Sequence, residues 1–460
     1  MKTDRFIIFF MLVLCASIGD ANAQNSFRHS ATYNGHKAIV RQVDDNIAIA
    51  YSQENDDQGY FFYDNFGVEL RYATMWPDCR VYDFEIHDDT VFFCGKYNHS
   101  VLGTCGIFGF FDINDVFFNG GNINGIYCDY SITANPPEYN LRPTTLWRMD
   151  VFNKGYTHIV AVGACLQEGP LPTPVTNTAV YDVYFDGINW HCEAYSQKPG
   201  QQYYTDIVTT EHYITAVAKS EYSEKCYIRQ FDKIIGFLSS TISNHVIDVV
   251  DNNPVGKVIV DALDNDTVAV SNFYYNNNEA GVSVKKFAIT SIYPNTSIIN
   301  STHIPMNTHP SVSTLWNLRD IRYNNTQKKL ALLLDMDYPV HNSPQSTILE
   351  IATNTSMIPF TIVASWSGTT CFYALDQWLD GYHAIGSKPG SPSDIMAFFR
   401  KEFGINSMCG NIFNPVPYYD NTQNVVLQID APTGIIVEPE LMIFNYTPKT
   451  NEVSITTDCN

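Results

Sequence analysis

A turn rich in Asp, Asn and Gly returns again and again between two short apolar runs, and it leaves this chain few folds to choose from. The pattern is plainest in residues 81–115, VYDFEIHDDTVFFCGKYNHSVLGTCGIFGFFDIND. An alternating run (Tyr82 to Ile86) meets His87, Asp88 and Asp89. An apolar run follows (Thr90 to Gly95), then a polar loop and a third run (Gly106 to Phe111). Period-two alternation broken by such turns marks antiparallel hairpins. The turn recurs at Asp44-Asp45-Asn46, Asn153-Lys154-Gly155, Asp264-Asn265-Asp266, Asn324-Asn325 and Asp380-Gly381. The apolar second run reads IAIAY, TVFFCG, IVAVG, YITAVA, TVAVS, LALLL and HAIGS in turn.

A further turn and strand close each unit, so a unit holds four short strands. Repetition every roughly 55 to 65 residues is the arithmetic of a β-propeller. The units begin near Ala38, Val81, Trp147, Tyr203, Val258, Leu318 and Phe372. This predicts an all-β chain folded as a single β-propeller of four-stranded antiparallel blades. Seven blades fit best, with six or eight as the other counts the spacing allows. Helical signals are nearly absent. The stretch Ser393 to Phe403 has an N-cap-like Ser but falls where the plan needs a strand, and is read as one. After Ile405 the pattern is interrupted by Pro415 and Pro417, and strand-like runs return at 425–429, 435–437, 441–446 and 453–456. Residues 405–460 are therefore expected to complete the first blade and close the ring, or to add another blade.

An Asp with the same relation to the apolar run stands at Asp83, Asp150, Asp206, Asp261 and Asp320, while Ala374 takes that place in the last unit. Such a residue can accept hydrogen bonds from backbone N–H groups where the innermost strand begins. It can also contribute to a ring of carboxylates around a channel, able to hold a cation. Recurrence in nearly every unit favours the first role, because a site seldom needs five equivalent groups.

Lys2 and Arg5 precede an apolar run from Phe6 to Leu14, and Ala21-Asn22-Ala23 supplies a small-residue cleavage site. Residues 1–23 thus read as a secretory signal peptide and 24–460 as the propeller, an exported chain, secreted or periplasmic, with no membrane span. Of eleven cysteines, Cys15 lies in the leader and ten remain, which permits disulfides in an exported protein. Cys94 and Cys105 flank one loop and could meet across a hairpin; buried thiols are the alternative. No CxxC pair occurs and no His stands three or four residues from a Cys, so no metal site is expected. No cofactor is expected either, since the chain has no GxSxG, HExxH, P-loop or GxGxxG. Asp335-x-Asp337 and 261–266 are acidic but lack a full calcium loop, and read as turn-forming Asp. A formal charge of −21 argues against nucleic-acid partners, which need a basic surface.

Function should sit on loops. In four-stranded blades the loops between second and third strands emerge on the same face as the links between blades, and scaffold-held loops carry binding residues. Tyr97, His99, Tyr222, Tyr274, Tyr275, Asp337 and Tyr338 are the candidates there, because Tyr supplies rigid contact area with a polar tip. A glycan, peptide or protein ligand docking on that face is the leading expectation. The alternative is a secreted polysaccharide hydrolase or lyase using two loop carboxylates. Asp337 with Glu221, or Asp56 with Glu279, are the pairs available to it.

Overall fold

The computed structural model describes residues 27–29, 39–44, 47–54, 57–64, 70–129, 142–167, 175–196, 202–220, 226–234, 245–249, 254–276, 279–288, 297–305, 315–337, 345–353, 360–367, 371–378, 381–388, 395–401, 425–429, 435–437, 440–452 and 455–457. They form a seven-bladed propeller. The innermost strands are Ile39–Gln42, Cys79–His87, Arg142–Lys154, Gln202–Thr209, Pro254–Ala262, Leu315–Asn324 and Cys371–Trp378, numbered here as blades 1 to 7. In every blade the second and third strands pair antiparallel outward from the innermost one. Each innermost strand lies against the innermost strand of the next blade, and the last lies against the first, so the ring is closed.

The apolar second strands follow from this geometry. A sheet sandwiched between two others buries both faces, so its strands read as continuous apolar runs. In blade 6, Leu330, Leu332 and Leu334 pack toward blade 5 with Ile259 and Phe273, while Ala331 and Leu333 pack toward blade 7 with Leu375 and Tyr382. In blade 2, Val91 and Phe93 join Tyr51 and Tyr60 of blade 1, and Phe92 and Cys94 join Ile159 and Ala161 of blade 3. The core is thus a set of layers between blades, and no single blade could bury its apolar surface alone.

The chain ends meet on blade 7. Phe27–His29 pairs antiparallel with Ile395–Lys401 as the fourth strand of that blade. The C-terminal strands are distributed along the rim of the ring. Val425–Ile429 pairs with His245–Val249 beside blade 4, Ile435–Val437 with the outer strand of blade 3, and Glu440–Tyr446 with that of blade 2. Thr450–Glu452 then pairs with the outer strand of blade 1, and Ile455–Thr457 with Phe27–His29. The C-terminus therefore runs backward around the rim as a belt, covering an outer edge at each stop. An uncovered edge is a template for aggregation.

The recurring Asp residues stitch the blades together, and they do so in two alternating registers. In blades 2, 4 and 6 one oxygen of Asp83, Asp206 and Asp320 accepts the next residue's N–H. The other accepts from Met149, Val260 and Leu375 of the following blade at 2.9–3.1 Å. In blades 3 and 5, Asp150 and Asp261 sit further along the strand and accept from Thr209 and Tyr323 at 2.6 Å. Blade 7 uses Asp376, not the position of Ala374, to accept from Gln42 of blade 1 at 2.7 Å.

Of the two readings weighed for Cys94 and Cys105, the bridge does not form. Cys94 is in register with Phe108 and Cys105 with Tyr97, which keeps the two apart along the hairpin. The seven cysteines whose side chains are described are buried thiols. Among the described residues no helix is long and apolar enough to cross a membrane.

Candidate functional site

Six of the seven innermost strands carry a bulge near their start. The irregularity falls between Val81 and Asp83, Leu146 and Arg148, Tyr204 and Asp206, Val255 and Val258, Leu318 and Asp320, and Phe372 and Ala374. A bulge breaks the pleat and re-aims a side chain. Here the bulged residues are Tyr82, Trp147, Thr205, Lys257, Arg319 and Tyr373, and all six line one cavity at the centre of the ring. Ile39, Thr145, Arg148, Tyr203, Tyr204 and Ala374 complete its wall. The cavity is a funnel of about 500 Å³, within the size range of sites for small ligands. Gly95 and Gly163 stand behind two of the bulges; a Cβ there would lie 1.9 Å from the Arg80 carbonyl oxygen and 2.1 Å from that of Thr145.

The walls are fixed. Trp147 Nε1 donates to the Tyr204 carbonyl at 3.1 Å, and Thr205 Oγ1 donates to the Val258 carbonyl at 2.6 Å. Arg319 donates to Asp335 at 2.6 Å and its guanidinium lies 5.3 Å from the centre of the Tyr373 ring. This pairing uses the Asp335 carboxylate, one of the acidic groups weighed from sequence. Lys257 has neither hydrogen bond nor ion pair among the described residues. The funnel wall strips part of its ammonium's hydration, although the side chain keeps contact with the water of the funnel. This desolvation, with Arg148 and Arg319 near, outweighs the opposing pull of Asp206 and Asp320 and lowers its pKa to about 8.

Arg148 is the floor. It lies 3.8 Å from Asp83, 3.7 Å from Asp206 and 3.5 Å from Asp320, carboxylates of blades 2, 4 and 6, and so plugs the channel. A second cavity of about 270 Å³ beyond it is lined by Glu85, Asp150, Asp206, Asp261, Asp320 and Arg322. Arg41 bridges Asp83 and Glu85 at 2.8 and 2.9 Å, and Arg322 reaches Glu85 and Asp376 at 3.6 and 3.5 Å. Burial pushes Asp206 up to about 6, Asp261 to about 7 and Glu85 to about 8 against the pull of these arginines. At Asp320 burial also acts upward, but Arg322, Arg148 and Arg41 outweigh it and the pKa falls. Each carboxylate in this throat meets a backbone N–H group or a guanidinium, which suits a structural role.

The residues expected on the loops are described only in part. The registers Cys79 with Tyr97, Pro254 with Tyr274 and Leu315 with Asp337 put those positions at the funnel end of their blades. Tyr97 does not line the funnel. It stacks on Phe444 of the belt at 5.1 Å, and His99 lies 5.5 Å from Tyr127 while its Nδ1 accepts from Val101 and Leu102. For Tyr274, Tyr275 and Asp337 only the backbone is described, as strand, and Tyr222 and Tyr338 lie outside the described residues. Neither proposed carboxylate pair can be placed for the same reason: Glu221 and Asp56 lie outside the described residues. On the opposite face Glu211, His212 and Asp266 come within 4.8 Å of one another. Hydrogen bonds to Asp266 from Thr210 and from the backbone and ring of His212 account for that cluster.

No protein-family model matches the chain, and no curated protein does. Among solved structures it is similar to the β-propeller domain of Nup133 from Vanderwaltozyma polyspora, at 9% identity and a TM-score of 0.31, over 81% of this chain and 98% of that one. It is also similar to the Bombyx mori GH32 β-fructofuranosidase BmSUC1, at 8% identity and a TM-score of 0.31, over 82% of this chain and 90% of that one. The blade topology described above carries the fold, and these likenesses carry nothing about function.

Proposed function

We propose that this chain is an exported binding module that takes a glycan in the central funnel. The observation that carries the reading is the funnel's lining: one bulged residue from each of six blades, aromatic or cationic for the most part, with no carboxylate among the described lining residues. Hydrolysis of a glycoside needs two carboxyl groups facing each other across the ligand, roughly 5–10 Å apart. Rigid Tyr and Trp faces with polar tips are instead what a sugar ring stacks on. The leader-like residues 1–23 support export.

The test is a glycan and peptide array probed with the mature chain and with its Trp147→Ala variant, each checked for a cooperative melt. Glycan spots that bind the wild type and fade at least about tenfold in the variant are the expected result. Trp147→Phe, which keeps a ring, should retain part of the signal. Steady release of reducing ends from a polysaccharide by the wild type would overturn the reading in favour of a hydrolase.

A further inference from the structure

Three cations reach the funnel, and two of them are already answered. Arg148 sits among Asp83, Asp206 and Asp320, and Arg319 holds Asp335 while lying over Tyr373. Lys257 stands on the wall with no ion pair among the described residues, in a chain that carries 48 acidic residues against 27 basic ones. Asp206 and Asp320 act on Lys257 through space, but both already face Arg148, and no carboxylate lies within ion-pair distance of Lys257 among the described residues. Lys257 is exposed on the funnel wall, so its ammonium is within reach of an anionic group entering the funnel.

We propose that the funnel selects an acidic sugar, a ring bearing a carboxylate or sulfate, with Lys257 pairing the anionic group and the Trp147 and Tyr373 rings holding the sugar face. The inference rests on the reading of the funnel as a glycan site and names the class of glycan. The lining supports the two halves separately: the aromatic bulges of blades 2, 3 and 7 offer flat surfaces, and the bulge of blade 5 offers positive charge. A neutral sugar would satisfy only the first half. Since Lys257 loses its proton above about pH 8, the preference for the anion should fade there while stacking persists.

The experiment titrates the full mature chain with three sets of trisaccharides: uronic acids, sulfated sugars and their neutral counterparts, at pH 6.5 and at pH 9.5. At pH 6.5 acidic members should bind at least about tenfold more tightly than neutral ones, and the gap should close by pH 9.5. Lys257→Met should erase the gap without lowering the melting temperature, and Lys257→Arg should keep it at both pH values. The uronic and sulfated sets identify which anion is preferred. Equal binding of acidic and neutral sugars, both lost in Trp147→Ala, would overturn the acidic selectivity and leave the glycan site standing. An acid preference that survives in Lys257→Met would overturn the role given to that residue. No binding by any of the three sets would overturn both readings.

Discussion

The mouth and the throat of the central channel are built from the same seven strands, often from adjacent residues, yet they differ in one respect. In the throat the same residue type recurs: Asp83, Asp150, Asp206, Asp261, Asp320 and Asp376 each tie one blade to the next. In the mouth nearly every position differs: Tyr82, Trp147, Thr205, Lys257, Arg319 and Tyr373. A ring needs the same joint between every pair of blades, so repetition belongs to structure. A ligand has no seven-fold symmetry, so a surface shaped to one is free of the repeat. On this view the throat holds the molecule together and the mouth gives it something to do.

The comparison breaks most sharply at Arg148, which belongs to both regions. Arg148→Met removes the charge that lies among three buried carboxylates. Breaking a buried ion network from one side should cost about 3–5 kcal/mol at pH 7. Urea unfolding measures it, and the loss should shrink at pH 5, below the raised pKa of Asp206. Behind the mouth, Gly163→Ala drives a Cβ to 2.1 Å from the Thr145 carbonyl oxygen. Overpacking of this kind should cost about 1–3 kcal/mol. A binding loss larger than that stability loss would show that the Trp147 bulge had moved with it.

The throat should also make the fold respond to pH. Asp206, Asp261 and Glu85 have folded-state pKa values raised to about 6, 7 and 8. A group raised on folding contributes stability that is complete below its unfolded pKa and lost as pH rises through its folded pKa. Lowering pH from 8.5 to 5 should therefore raise the melting temperature, on the order of 5 °C. Below about pH 4 the trend should reverse, because Asp320, lowered in the folded state, must then take up a proton. A melting temperature that falls steadily from pH 8.5 to 5 would contradict this account of the channel. The smallest effect belongs to Lys257→Met, which removes an unpaired charge from the mouth and should leave the melting temperature unchanged or raise it slightly. A loss of several degrees would make Lys257 part of the joint and not of the site.

Much of the fold could be read directly from residues. LALLL at 330–334 announced a strand buried on both faces, and Asp264-Asn265-Asp266 announced the turn before the matching strand of the preceding blade, where Asn265 and Asp266 adopt positive φ. The paired role of Asp83 and its repeats followed from their recurrence, but their two registers did not, since a shift of a couple of residues along a strand leaves the same pattern. The belt was hidden for a related reason. Runs such as Ile435–Val437 and Glu440–Tyr446 look like any other strands, and nothing local says that they pair with separate blades. The funnel was the largest omission. Its residues are set by bulges, and a bulge is invisible in an alternation of apolar and polar letters. A trace was present all the same: Tyr82, Thr205 and Arg319 each immediately precede a repeated Asp, and Tyr373 precedes Ala374 at the position left without one. Following the neighbour of the repeated residue, and not only the loops, would have led to the mouth.

The central claim is that the varied mouth, and not the outer loops, holds the ligand. A crystal structure of the chain with the tightest-binding array glycan tests it most directly. The account predicts a sugar ring against Trp147 or Tyr373, its acidic group within about 3 Å of Lys257 Nζ, and the Asp-stitched throat unchanged. A glycan seated on the outer loops around Tyr97 and His99, with the funnel holding only water, would contradict it.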